Sequence, residues 1–184
     1  MRQFFRAACA AAAVVMLAAC GDSTGPWLAT DPGSLSFAFR GALQGWFSAR
    51  GGAGPLSPPT AEYAEALRRP GYLAIEAGNP LPRERMSAVR LTAYFDPAVG
   101  AYPVCSPSFP VAGPCLDLRI LMTLDTGAGP REYAFVLPAS GSVTIEELSR
   151  GRVRGTFSAR TQDLLTRESI EVTQGRFDVP IRDL

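Results

Sequence analysis

The chain has 184 residues, 47% of them hydrophobic, with 18 basic residues against 17 acidic ones and a formal charge of +1. Every cation is Arg, because the sequence contains no His and no Lys. That removes Ser-His-Asp and Cys-His nucleophiles, a His general base, Schiff-base lysines, Ser-Lys dyads, P-loop lysines and His-containing zinc sites, so an enzyme would have to run on carboxylates, Tyr or Arg alone. The near-neutral balance offers no excess positive charge to displace counterions, so nucleic acid is not an expected partner, and no metal or cofactor is expected.

At the N-terminus, Arg2 and Arg6 precede an unbroken apolar run, Ala7–Ala19, that ends in "LAAC" at Leu17–Cys20. The run is shorter than the roughly 20 residues that span a bilayer and reads as a signal peptide. "LAAC" resembles the lipobox of bacterial lipoproteins. The resemblance implies cleavage before Cys20, acylation of the Cys20 sulfur and a membrane attachment through that anchor. Gly21 stands where an Asp would signal inner-membrane retention, which points to the outer membrane. The alternative is an ordinary secretory signal cut near Ala18–Cys20, with a soluble product. The expected organisation is therefore a cleaved signal peptide over 1–19, a lipidated N-terminus and polar tether over 20–34, and a single β domain over 35–184. Removing residues 1–19 takes away two arginines and leaves sixteen basic against seventeen acidic residues. The remaining chain is long enough for one domain that buries roughly 70% of its unfolded surface.

Period-two alternation begins at residue 35, where Leu35, Phe37 and Phe39 share one face and Ser36 and Arg40 the other. Leu43–Arg50 reads as the next strand. Ala61–Arg69 reads as the one helix, because it follows "PPT", carries Glu62 and Glu65 at its start and Arg68 and Arg69 at its end, and stops at Pro70-Gly71; Tyr63, Ala66 and Leu67 would face inward. Tyr72–Glu76 and Val89–Phe95 are further strands. The stretch between Phe95 and Leu116 is the least regular and holds Cys105 and Cys115, which an oxidising compartment would join into a disulfide. It reads as a stapled loop, or alternatively as a recognition loop displaying Tyr102 and Phe109. Leu116–Leu124, Tyr133–Leu137, Ser142–Glu147, Arg152–Thr161 and Ser169–Phe177 complete about eight or nine strands. Short turns between them imply antiparallel pairing, and hence an all-β fold: one antiparallel β-sandwich or a curled or closed barrel-like sheet.

Three motifs bear on function. "LMTLDTGAG" at Leu121–Gly129 resembles the aspartic protease signature, which would make Asp125, Thr126 and Gly127 half of a site completed by a homodimer. The alternative is a hairpin turn between Leu116–Leu124 and a strand from Arg131. "GWFSAR" at Gly45–Arg50 returns as "GTFSAR" at Gly155–Arg160, with a shorter echo at Gly175-Arg176-Phe177. In each copy Gly and Phe share a face, a combination that lets a strand bend beside a large side chain, and mutual pairing of the first two copies would help close the sheet. Finally, Gly141–Ile181 resembles the closing region of β-rich bacterial lipoproteins of unknown function, in which an alternating strand leads into G-x-F-S and a further strand into G-x-F. The resemblance implies a fold and an envelope location and carries no activity. The functional expectation is a non-catalytic outer-membrane lipoprotein domain that binds an envelope protein or supports the envelope. The alternatives are a lipocalin-like binder of a small apolar ligand, which would need an interior left open by Phe37, Phe39, Phe47, Phe95, Phe135 and Phe157, and the Asp125 protease.

Overall fold

The structure, a computed structural model, describes residues 32–51, 61–81, 85–106, 112–125 and 129–184. The signal peptide, Cys20, Phe109, Thr126 and Gly127 lie outside the described residues. Among the described residues there are ten strands: β1 (Ser34–Gly41), β2 (Gly45–Arg50), β3 (Tyr63–Arg69), β4 (Tyr72–Leu81), β5 (Arg85–Ala93), β6 (Gly100–Cys105), β7 (Leu116–Asp125), β8 (Pro130–Leu148), β9 (Arg152–Asp163) and β10 (Ser169–Asp183). The fold is all-β, as its alternating sequence implies.

The expected helix over 61–69 is instead β3. The helix preference of Tyr-Ala-Glu-Ala-Leu amounts to only tenths of a kcal/mol per residue. It is overridden by ladder bonds along both edges: β3 pairs with β4 along its whole length, and Ala66, Leu67 and Arg68 pair with Ile181, Arg182 and Asp183 of β10. Pro70-Gly71, read as a helix stop, is the two-residue turn of the β3–β4 hairpin, with Gly71 at φ 69°. The expected count of eight or nine strands is corrected to ten for related reasons. β3 and β6 are added, while Tyr133–Leu137 and Ser142–Glu147 fuse into the single strand β8. Irregularities after Phe135, Pro138 and Ile145 bend β8, so that its first part pairs with β7 and its second with β6.

The strands form one sheet, and its pairings run in a closed circuit: β10 to β3, β4, β5, β7, β8, β9 and back to β10. The β1–β2 hairpin lies along the same edge of β10 as β3, with β1 covering Ile170–Asp178. Pairing is antiparallel except for two short parallel contacts, β3 with β10 and β6 with β7. The two hexapeptide copies do not pair with each other. β1 and β10 stand between β2 and β9, and β10, which carries the third copy, closes the circuit.

Inside the circuit lies one hydrophobic cluster drawn from every strand. Phe37 is fully buried, stacks on Phe47 with centroids 5.0 Å apart and meets the edge of Phe157 at 5.7 Å; Phe157 in turn lies 6.5 Å from Phe177. The glycines of the repeats face these rings across strands: Gly155 is the register partner of Phe177, Gly175 of Phe157, and Gly45 of Phe39. A Cβ on Gly175 would sit 2.5 Å from the Phe157 carbonyl oxygen and 2.7 Å from its ring. Each glycine thus vacates the space that a phenylalanine on the next strand occupies.

Candidate functional site

Cys105 and Cys115 form a disulfide with Cα atoms 5.8 Å apart, tying the end of β6 to the start of β7. Tyr102 does not project as a recognition group. Its ring packs 5.4 Å from Phe95, and its hydroxyl donates to the Ala98 carbonyl and accepts from the Ala98 amide, both at 2.9 Å. Asp125 ends β7 opposite Pro130, so its backbone belongs to the β7–β8 hairpin; its side chain, with Thr126 and Gly127, lies outside the described residues. Among the described residues no group of three His, Cys, Asp or Glu could hold a metal ion, and no helix is long and apolar enough to cross a membrane. The six phenylalanines that an open interior would have needed to leave apart are buried, or half-buried in the case of Phe95, against the core cluster.

Functional chemistry must then be sought on the outer faces of the sheet. The first outer face spans β3, β4, β5 and β7. Register places Glu65 opposite Glu76, Glu76 opposite Arg90, and Arg90 opposite Arg119. Arg182 of β10 bonds Glu65 at 3.1 Å, Arg90 bonds Glu76 at 2.7 Å, and Arg119 bonds Asp117 at 2.7 Å. The three carboxylate side chains are only 3–4% exposed under their arginines. Burial raises the Glu65 carboxyl above its ordinary value, with Arg182 opposing the rise and Glu76 adding to it. Burial likewise raises the Tyr63 phenol; Glu76 adds to that, Arg90 opposes it and Glu65 adds again. Three carboxylates against three guanidiniums make a neutral ladder that stitches the strands together, with Asp117 Oδ1 and Arg182 Nε buried in it without a hydrogen-bond partner.

The second outer face spans β8, β9, β10 and β1, and its chemistry differs. Hydroxyls follow the register across it: Ser142 faces Ser158, Thr144 faces Thr156, and Thr156 and Ser36 both face Arg176. Three cavities of about 650, 450 and 400 Å³ lie along this face. The first and second share Ser158, and the second and third share Thr156 and Arg176, so they run on from one another as a groove. From Arg160 to Arg154 the groove follows six residue steps of β9, about 20 Å at roughly 3.3 Å per residue. Most charges bordering it are paired: Arg40 with Glu171 at 2.8 Å, Arg154 with Glu147 at 2.8 Å, and Arg152 with Asp178. The Arg40 bond also lowers the Glu171 carboxyl below its usual value. Among the described residues Arg160 and Arg176 have no ion pair or side-chain hydrogen bond. Trp46, 56% exposed, stands on the same face, since it pairs with Ala38, which pairs with Thr173.

Ser158 and Arg160 lie on the solvent side of β9, but the sequence alone singles out none of Thr156, Ser158, Arg176 or the Glu65–Glu76 pair as site residues. Their grouping depends on which strands neighbour one another, which alternation within one strand does not report. Compared with protein-family models, with curated proteins and with solved structures, the chain matches none.

Proposed function

We propose that the chain is a non-catalytic binding module of the bacterial cell envelope, carried on the outer membrane by acyl chains on Cys20, with its barrel-like domain presenting the outer face of β8, β9, β10 and β1 to a partner. The observation that carries this reading is the contrast between a packed interior and an open groove. Phe37, Phe47, Phe157 and Phe177 occupy the space that a lipocalin-like ligand would need, while the groove outside keeps Arg176 opposite hydroxyls alone and Arg160 opposite a Glu171 that is already bonded to Arg40. The cation set is wholly Arg-based, and the buried carboxylates Glu65, Glu76 and Asp117 are each bonded to an arginine. This supports binding over catalysis.

A photo-crosslinking side chain placed at Ser158 in the living envelope tests the face, with one at Tyr94 as the control; Tyr94 is 64% exposed and lies beside the charge ladder. A conjugate formed from position 158 and not from 94 supports the reading, and equal or no conjugation from both sinks it. For the anchor, Cys20→Ala should move the protein from the membrane to the soluble fraction and abolish incorporation of labelled fatty acid. Membrane retention in that variant would remove the lipoprotein assignment.

A further inference from the structure

We infer that the occupant of the groove is an acidic polysaccharide. The inference rests on the binding-face reading above and deepens it. A linear glycan presents hydroxyls at regular intervals, which match a surface of short hydroxyl side chains: Ser142, Thr144, Thr156 and Ser158 project into the groove from two adjacent strands. Hydroxyls both donate and accept, so such a surface satisfies a sugar's own mixed donors and acceptors.

The charge follows from what is left unpaired. With Arg152 and Arg154 bound to Asp178 and Glu147, the groove retains Arg176 at its middle and, toward one end, Arg40 and Arg160 on either side of the one carboxylate of Glu171, against the carboxylate of Glu146 near the other end. Guanidiniums fit planar carboxylates in a bidentate fork, and Arg176 sits between the Thr156 and Ser36 hydroxyls that would complete such a site. Trp46, two strands from β10 and so about 10 Å from it, offers an exposed indole face on which a sugar ring can stack. The approach is therefore a chain lying along β9 and β10, its acidic groups on Arg176 and Arg160, with a branch or turn reaching Trp46.

The test is affinity electrophoresis of the full exported protein through gels containing polygalacturonate, with neutral dextran as the comparison polymer. Polygalacturonate should retard the native protein and dextran should not. Arg176→Gln should weaken retardation about tenfold, and Trp46→Ala about threefold, while Arg131→Gln, which removes an arginine from the β7–β8 hairpin and its 3.8 Å pair with Glu168, should leave it unchanged. Circular dichroism confirms that each variant is folded. Retardation unaffected by Arg176→Gln, or equally reduced by Arg131→Gln, overturns the inference as non-specific charge attraction. Equal retardation by dextran overturns its acidic part. If neither polymer retards the protein while Ser158 still forms its specific conjugate in the envelope, the groove binds something other than a polysaccharide: the inference falls and the binding-face reading stands.

Discussion

Gly155→Ala should be among the most damaging single-methyl additions in this fold. Gly155 lies between Ile145 of β8 and Phe177 of β10 in register. A Cβ there would stand 2.0 Å from the Thr144 carbonyl oxygen, 3.0 Å from its carbon and 2.6 Å from Phe177 Cζ. The Phe177 ring is 1% exposed and has nowhere to turn. The Thr144 carbonyl belongs to the strand ladder, so moving it by the ångström required breaks pairing as well as packing. Overpacking costs about 1–3 kcal/mol, and one ladder hydrogen bond adds about 1 kcal/mol, giving about 2–4 kcal/mol in all. For a domain of this size each kcal/mol lowers Tm by about 2–4 °C, so the expected drop is about 10 °C. Thermal unfolding followed by far-UV circular dichroism reads it directly. Two companion variants separate the mechanism from a general dislike of alanine. Gly151→Ala meets nothing within 4 Å and should melt like the native chain, and Gly45→Ala meets only the Phe39 ring, at 2.9 Å from Cζ, and should cost about 1 kcal/mol. A Gly155→Ala protein that melts within 2 °C of the Gly151→Ala protein would refute the reasoning.

Reducing the Cys105–Cys115 disulfide, which closes a span of ten residues, should lower stability by about 3 kcal/mol in the chain-entropy model; melting with and without reductant checks it, beside an intact mass showing no free thiol at these cysteines. Asp163 accepts the Leu165 and Thr166 amides on one oxygen at 3.0 and 2.7 Å and the Ala134 amide on the other at 2.7 Å. Burial pushes its carboxyl upward, but these backbone bonds, with one from the Thr166 side chain, outweigh that and hold it below the usual aspartate value. Its contribution is therefore present above the unfolded value and lost as pH falls through the lower folded one. Asp163→Asn, which sets an amide NH₂ against backbone donors, should cost about 3 kcal/mol at pH 7 and make urea stability flatter below about pH 4. Glu65 has the opposite sign: with its folded value raised, ionised Glu65 costs stability at neutral pH, and the cost is relieved as pH falls through the raised value toward the ordinary 4.5. Glu65→Gln should accordingly be tolerated at pH 7, whereas Arg182→Gln, which strands a carboxylate only 3% exposed, should cost about 3 kcal/mol, as urea titration of the two variants will show.

Alternation made the strand phase legible residue by residue. Leu35, Phe37 and Phe39 share the inward face as their alternation implies, and in the repeats Phe47 and Phe157 are buried while Arg50 and Arg160 are exposed. β3 was misread because Tyr63, Ala66 and Leu67 also satisfy a helical spacing, and nothing local to residues 61–69 says that β4 and β10 will bond both edges. The same non-locality hid the charge ladder. Glu65, Glu76, Arg90 and Arg119 are separated by 11, 14 and 29 positions, and only the register brings them into one row. The Gly-x-Phe repeats were legible as bends, but not as reciprocal partners: that Gly155 accommodates Phe177 and Gly175 accommodates Phe157 follows from a β9–β10 register with a bulge between Val172 and Gly175, where Gln174 takes φ 54°.

That reciprocity links the fold to the place where a ligand can sit. Because the glycines let phenylalanines from β1, β2, β9 and β10 meet at the centre, the interior is used up by the packing that closes the circuit. A protein so built has only its outer faces for recognition, and the two large ones are unequal. Across β3, β4, β5 and β7 the guanidiniums are bound to buried carboxylates, and drawing one away toward a ligand would expose an unpaired buried charge, at a cost of about 3–5 kcal/mol. Across β8, β9, β10 and β1, Arg176 holds no buried carboxylate, and Arg160 shares only the field of Glu171, which lies opposite it in register, is half-exposed and is already bonded to Arg40, so a ligand there draws no buried charge out of its pair. On these energetics a ligand would be opposed less on the second face than on the first, which is what the proposed binding face requires.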